Sequence, residues 1–179
     1  MANLVKKSYN LLLRMKKQEL PKQNLYFSTF VEKKNVAMVF GAGEATGAAC
    51  TKAFALEGYT VIAVRRDKGA TLGNIKDLEA RLNEDLLKNS AEGKNCVHGY
   101  SADARNESEI RSLMDEVEQK YGAIKVVLHN IGPNMPQSVL DTSVQRYQKL
   151  FEISATSSLI VGKEAAKIYK VKVGRFKKK

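Results

Sequence analysis

The sequence predicts an α/β fold: a parallel sheet with helices on both faces. Three observations predict it. Apolar runs of five residues recur through the middle of the chain. Stretches with helical spacing separate them. A glycine cluster, "VFGAGEATGAA" at 39–49, joins the first run to the first helical stretch. Strands that alternate with helices need crossover connections, and crossovers set neighbouring strands parallel.

The elements follow in order. "VAMVF" (36–40) is the first strand, and the helix after the glycines runs through Leu56, with Gly58 where a helix C-terminal glycine belongs. "TVIAV" (60–64), β-branched and apolar, is the second strand. Ile75, Leu78, Leu82 and Leu86 fall at helical spacing in the polar segment that follows. "CVHGY" (96–100) is a third strand, and Ile110, Leu113, Met114 and Val117 share one face of the next helix. "KVVLH" (125–129) is a fourth strand. Residues 142–169 read as one long helix with Thr142 as its cap. The alternating "YKVKV" (169–173) is a candidate short strand over the edge of the fourth.

Charge divides the chain of 179 residues into three parts. Residues 1–34 carry +6, residues 35–162 carry −2 and residues 163–179 carry +7, for a net +11. This predicts a basic N-terminal tail (1–34), one folded domain (35–168) and a basic C-terminal tail (169–179). A basic stripe across the domain would suggest nucleic acid, and it is not what the charge shows. Basic ends around a near-neutral middle suggest addressing signals, solvated tails or loose anionic contacts. In the first segment Leu4, Leu11, Leu12 and Met15 share one helical side, while Lys6, Lys7, Arg14 and Lys17 gather opposite. That pattern fits a mitochondrial presequence. A disordered basic tail fits as well, so matrix and cytoplasm both stay open. Cys50 and Cys96 form no CxxC, which excludes a zinc or disulfide framework and fits a reducing compartment. No apolar run approaches the roughly 20 residues that span a bilayer.

A strand that turns sharply into a helix needs glycine at the bend, where a ligand approaches the backbone, and where helix packs on strand. Gly41, Gly43 and Gly47 have that placement. The helix start then offers free N–H groups and partial positive charge to a phosphate. The alternative is a purely structural turn. After the second strand come Arg65 and Arg66, where dinucleotide folds meet the adenosine ribose. A carboxylate there suits the ribose hydroxyls of NAD. Guanidinium groups suit the 2′-phosphate of NADP. The alternative is two solvated arginines, with Asp67 available to pair with either.

Across residues 35–166 the chain resembles the short-chain dehydrogenase/reductase family. "FGAGEATG" (40–47) is similar to that family's TGxxxGxG loop, with Phe40 for the threonine and Ala45 for the middle glycine. "SADARNE" (101–107) resembles the segment after the third strand, and "YGAIKVVLHNIG" (121–132) the fourth strand ending in NNAG. The resemblance implies a Rossmann-like three-layer fold whose truncated parallel sheet has strand order 3-2-1-4. It implies cofactor contacts at Gly41, Gly43, Glu44, Ala45, Thr46, Gly47, Arg65, Arg66, Asp103, Ala104, Asn130, Ile131 and Gly132, with Asp103 at the adenine. The cofactor expected is NADP rather than NAD.

The departures concern chemistry. The family uses an Asn on the helix after the fourth strand, then a Ser and a YxxxK. The Asn position holds Ser154, and no Ser or YxxxK follows that helix in these residues. Tyr121 and Lys125 have the spacing but sit at the turn into the fourth strand. No catalytic residue and no metal ligand is therefore assigned. The leading expectation is a truncated, NADP-binding oxidoreductase domain with little or no catalysis. A nucleotide-binding or dimerising module, forming a homo-oligomer or pairing with a full-length relative, is kept as an alternative, as is binding of anionic surfaces or RNA through the tails. No nucleic acid partner is expected of the folded domain.

Overall fold

The structure is a computed structural model that describes residues 35–67, 74–89, 96–133 and 136–176. The presequence and tail-binding readings of 1–34 lie outside the described residues. A four-stranded parallel sheet has order β3-β2-β1-β4, with β1 Val36–Phe40, β2 Thr60–Arg65, β3 Val97–Ser101 and β4 Ile124–His129. The crossovers are α1 Thr46–Leu56, α2 Ile75–Asn89 and α3 Glu107–Lys120. After β4 the chain forms α4 Val144–Phe151, a π-helical turn Glu152–Thr156 and α5 Ser157–Phe176. Among the described strands β4 pairs with β1 alone and so forms one edge of the sheet.

Alternation along β1 builds two cores. Val36, Met38 and Phe40 join Ile62 and Val64 against Ile110, Met114 and Val117 of α3 and Val161 and Ala165 of α5. Val39, Val61, Ala63 and Val97 pack on the opposite side with Ala48 of α1 and Ile75, Leu78, Leu82 and Leu86 of α2. Every β1 residue is fully buried, as a parallel strand covered on both faces must be. The edge at β3 is blunted by α2. The Asn83 amide donates to the Val97 carbonyl (2.9 Å) and accepts from its N–H (3.2 Å), and Glu79 accepts from the Gly99 N–H (2.8 Å). Asn74 and Asp77 cap α2 reciprocally, each accepting the other's backbone N–H at 3.0 Å.

Three expectations are corrected. The cap of the helix after β4 is Ser143, whose side chain accepts the Arg146 N–H, and not Thr142; Thr142 instead donates its hydroxyl to the Ser138 carbonyl. The long helix is not uniform, because the π-turn interrupts it. Serine hydroxyls compete with the backbone ladder there: Ser154 donates to the Leu150 carbonyl and Ser157 to the Ile153 carbonyl. "YKVKV" is helical, because α5 continues through Phe176. The alternation of Lys and Val is overridden by helix already propagating into it. No change of secondary structure therefore marks the tail boundary expected at 169.

Glu164 of α5 ties the last helix to α3. Its side chain is 4% exposed and receives Arg111 Nε at 3.3 Å and Lys167 Nζ at 2.5 Å. Burial pushes its carboxyl up, but the hydrogen bonds from Lys167 and Arg111 outweigh this and hold it at about 2. A carboxyl depressed in the folded state contributes stability above its unfolded value, and that contribution is lost as pH falls. Thermal stability should therefore decline between about pH 4.5 and pH 2, and Glu164→Gln should flatten that acid limb while lowering stability at pH 7 by about 1.5–3 kcal/mol. Melting curves across pH test this; an unchanged acid limb in the variant overturns it.

Candidate nucleotide-binding cleft

Parallel strands bring their C-terminal ends to one side of the sheet. Between β1 and β4 the connections leave for opposite faces, and a crevice opens there. In this chain the crevice is a cleft of about 380 Å³. Gly41 and Gly43 line it after β1, Arg65 and Arg66 at the end of β2, Asp103, Ala104 and Arg105 after β3, and Asn130, Ile131 and Gly132 after β4. Ile153 of the π-turn and Ser157 of α5 complete the wall. Glu44, Ala45, Thr46 and Gly47 are not among the lining residues. They form the loop and first turn of α1 directly behind Gly43.

Backbone geometry explains the glycines. Gly41 has φ +83°, and a Cβ there would lie 2.6 Å from the Asn130 carbonyl oxygen. The bend is locked because Gly41 N–H and Ala42 N–H both donate to the Val64 carbonyl, at 2.8 and 3.1 Å. Asn130 closes the other side, donating its backbone N–H to Phe40 (2.8 Å) and its amide to the Gly41 carbonyl (3.2 Å). At Gly47 a Cβ would come within 2.3 Å of the Gly41 oxygen, so only glycine lets α1 sit this close to the bend. Around Gly43 a Cβ would meet nothing within 4 Å. Ala45 stands at the N-cap of α1 and gives it no side-chain cap, and the first turn holds no acidic residue. Ala48 N–H turns back to the Gly43 carbonyl at 2.8 Å, and the uncapped helix start with its dipole suits an anion from elsewhere.

Charge is concentrated on the β2 and β3 side. Asp103 is forked by Arg105, with Nε at 3.0 Å and Nη2 at 2.6 Å, and Arg66 stands 3.8 Å away. The Arg105 hydrogen bonds hold the Asp103 carboxyl down at about 2. The Arg66 side chain is 44% exposed and Arg65 only 12%. Arg65 reaches Glu44 at 3.5 Å, and Glu44 also receives Arg81 of α2 at 2.5 Å. That hydrogen bond from Arg81 keeps the Glu44 carboxyl below the usual carboxylate range.

Two polar residues of the lining were missed in the sequence. Arg105 follows Asp103 by two positions, and that i, i+2 spacing was the available signal. Ser157 had none: it meets His129 across 28 residues, Nε2 to Oγ at 2.8 Å. Because the Ser157 hydroxyl already donates to Ile153 at 2.6 Å, the imidazole Nε2–H is the donor. Burial pushes the His129 imidazole down, which favours its neutral form. Ser154 bonds back to Leu150 and does not line the cleft. Tyr121 lies before the N-terminal end of β4, away from the cleft, stacked on His98 (4.5 Å) and 3.1 Å from the Tyr100 hydroxyl. Among the described residues no cluster of three His, Cys, Asp or Glu could hold a metal, and no helix is long and apolar enough to cross a membrane.

The sequence model of a family described as enoyl-(acyl carrier protein) reductase matches residues 41–176. The chain belongs to the short-chain dehydrogenase/reductase family. Its relatives in that family include dehydrogenase/reductase SDR family member 11 of Bos taurus, 27% identical over 130 residues, which are 73% of this chain and 47% of that protein. The short-chain dehydrogenase/reductase fold is also found in solved structures. An actinorhodin polyketide ketoreductase with NADPH matches at TM-score 0.64 and 21% identity, over 78% of this chain and 49% of its own. A short chain dehydrogenase from Bacillus anthracis matches at 0.65 and 18%, over 78% and 53%. The chain thus spans about half the length of the curated short-chain dehydrogenases/reductases it matches.

Proposed function

We propose that these 179 residues form an NADP(H)-binding module of oxidoreductase type that binds its cofactor without turning over a substrate. The observation that carries this reading is that Arg65 and Arg66 line the same cleft as Gly41 and Gly43, beside an uncapped helix start. The cradle fits the group. The space at Gly43 is open, and the N–H groups at the start of α1 other than Ala48, which is bonded to the Gly43 carbonyl, suit a pyrophosphate. Arg66, with Arg65 behind it, suits the 2′-phosphate through forked, charge-assisted hydrogen bonds. Asn130, Ile131 and Gly132 bound the cleft on the β4 side and would hold the remainder. Bound NADPH would supply a hydride; the chain's own residues bind and orient.

Isothermal titration of the purified chain tests the reading. NADPH should bind more tightly than NADH. Replacing both arginines, Arg65→Ala with Arg66→Ala, should weaken NADPH by about 10- to 100-fold and spare NADH, the range for lost hydrogen bonds to a charged group. Equal losses for both nucleotides would show that the arginines do not read the 2′-phosphate. No heat for either nucleotide with a folded sample would remove the reading.

A further inference from the structure

A carboxylate stands at the end of the arginine cluster. Glu44 belongs to the glycine loop but does not line the cleft. Each of its oxygens goes to a different guanidinium: Oε1 to Arg65 Nη1 at 3.5 Å and Oε2 to Arg81 Nη2 at 2.5 Å. Arg65, unlike Glu44, does line the cleft, and its Nε is also 4.0 Å from Asp67. The first arginine of the pair is therefore already faced by two carboxylates. Arg66 is faced by Asp103, which Arg105 holds more closely. On its far side Glu44 shares a shallow depression with Lys52 and Asp85, which pair with each other.

We propose that Glu44 sets the preference of the cleft between phosphorylated and unphosphorylated adenosine ribose, by competing with a 2′-phosphate for Arg65. The proposal rests on the nucleotide reading above and deepens it. A phosphate approaching Arg65 meets a guanidinium whose charge is partly offset, and it meets the carboxylate itself as a like charge. Arg81 tempers this by drawing Glu44 toward α2. Glu44 is thus a positioning residue that acts through Arg65, and Arg81 acts through Glu44. An unphosphorylated ribose carries no charge there and is far less sensitive to either residue.

The two partners predict shifts of opposite sign. Glu44→Gln keeps the shape and removes the charge, so the ratio of NADPH to NADH affinity should rise about tenfold. Arg81→Gln leaves the whole Glu44 charge facing Arg65, so the same ratio should fall. Titration of both nucleotides into the wild type and both variants, each confirmed folded by its melting curve, reads these ratios. A merely structural salt bridge would weaken both nucleotides together in both variants. A ratio unmoved by either substitution overturns the inference and leaves the cofactor reading intact. A selective loss of NADH binding in Glu44→Gln also overturns it, because Glu44 would then be reading the ribose hydroxyls. A wild type that binds neither nucleotide overturns the cofactor reading and this inference with it.

Discussion

Replacing Gly47 by valine is expected to abolish nucleotide binding and to lower stability by about 3 kcal/mol, the upper end for overpacking a tight contact. The obstacle at that position is backbone: the Gly41 oxygen at 2.3 Å and the Ala42 Cα at 2.7 Å from a Cβ. Neither can rotate aside as a side chain would. Relief requires α1 to move off β1, and that movement carries the first-turn N–H groups away from Gly43. It also breaks the bend that Val64 holds through two hydrogen bonds. Gly43→Ala is the matched control. It adds a methyl where nothing lies within 4 Å, so its melting temperature should stay near that of the wild type. A Gly47→Val protein that melts normally and still binds NADPH would refute the close-approach account.

The second large effect is an absence of turnover. With aldehydes, ketones or quinones, NADPH oxidation by these 179 residues should not exceed background, even where binding is measurable. Hydride transfer to a carbonyl needs a positioned acid to protonate the oxygen. The resemblance assigns that work to a Tyr, assisted by a Lys and a Ser, and none is matched by a residue of this chain. The Tyr121–Lys125 spacing does not replace them, because Tyr121 is bound to Tyr100 and His98 away from the cleft. The proton-bearing pair beside the cleft is His129–Ser157. Its imidazole is pushed toward the neutral form, and its hydroxyl is committed to a helix carbonyl. NADPH consumption, followed by its near-ultraviolet absorbance, checks the claim. A steady rate lost on Tyr121→Phe or on His129→Gln would sink it, and would name the residue responsible.

The sheet was legible in the sequence because its two central strands are apolar on both faces and its helices are not. "VAMVF" and "TVIAV" permit little but buried strands, and Ile75, Leu78, Leu82 and Leu86 mark one helical face. The glycine loop was legible for the same local reason: strand, bend and helix are consecutive, from Val36 to Leu56. What failed was set by neighbours. Nothing in "YKVKV" shows that a helix already runs into it. The π-turn goes with serine hydroxyls bonded to particular helix carbonyls, a choice no local pattern announces. The hold of Glu44 on Arg65 and Arg81 joins residues 21 and 37 positions apart, and the His129–Ser157 contact joins residues 28 apart. No local pattern encodes those separations.

The central position of β1 has a consequence for how the chain acquires its fold. Val36 is paired with Thr60 on one side and with Ile124 on the other, partners 24 and 88 positions onward. The first strand made is therefore the last to gain both neighbours. Until β4 arrives, one edge of a wholly apolar strand stays open, and the layer of Val36, Met38 and Phe40 lacks the cover that α5 later gives it. Pairings that span so much chain carry a larger loop-closure cost than the local β1–β2 pairing does. The strand that leads into the glycine loop is thus also the one whose two pairings differ most in the length of chain they enclose.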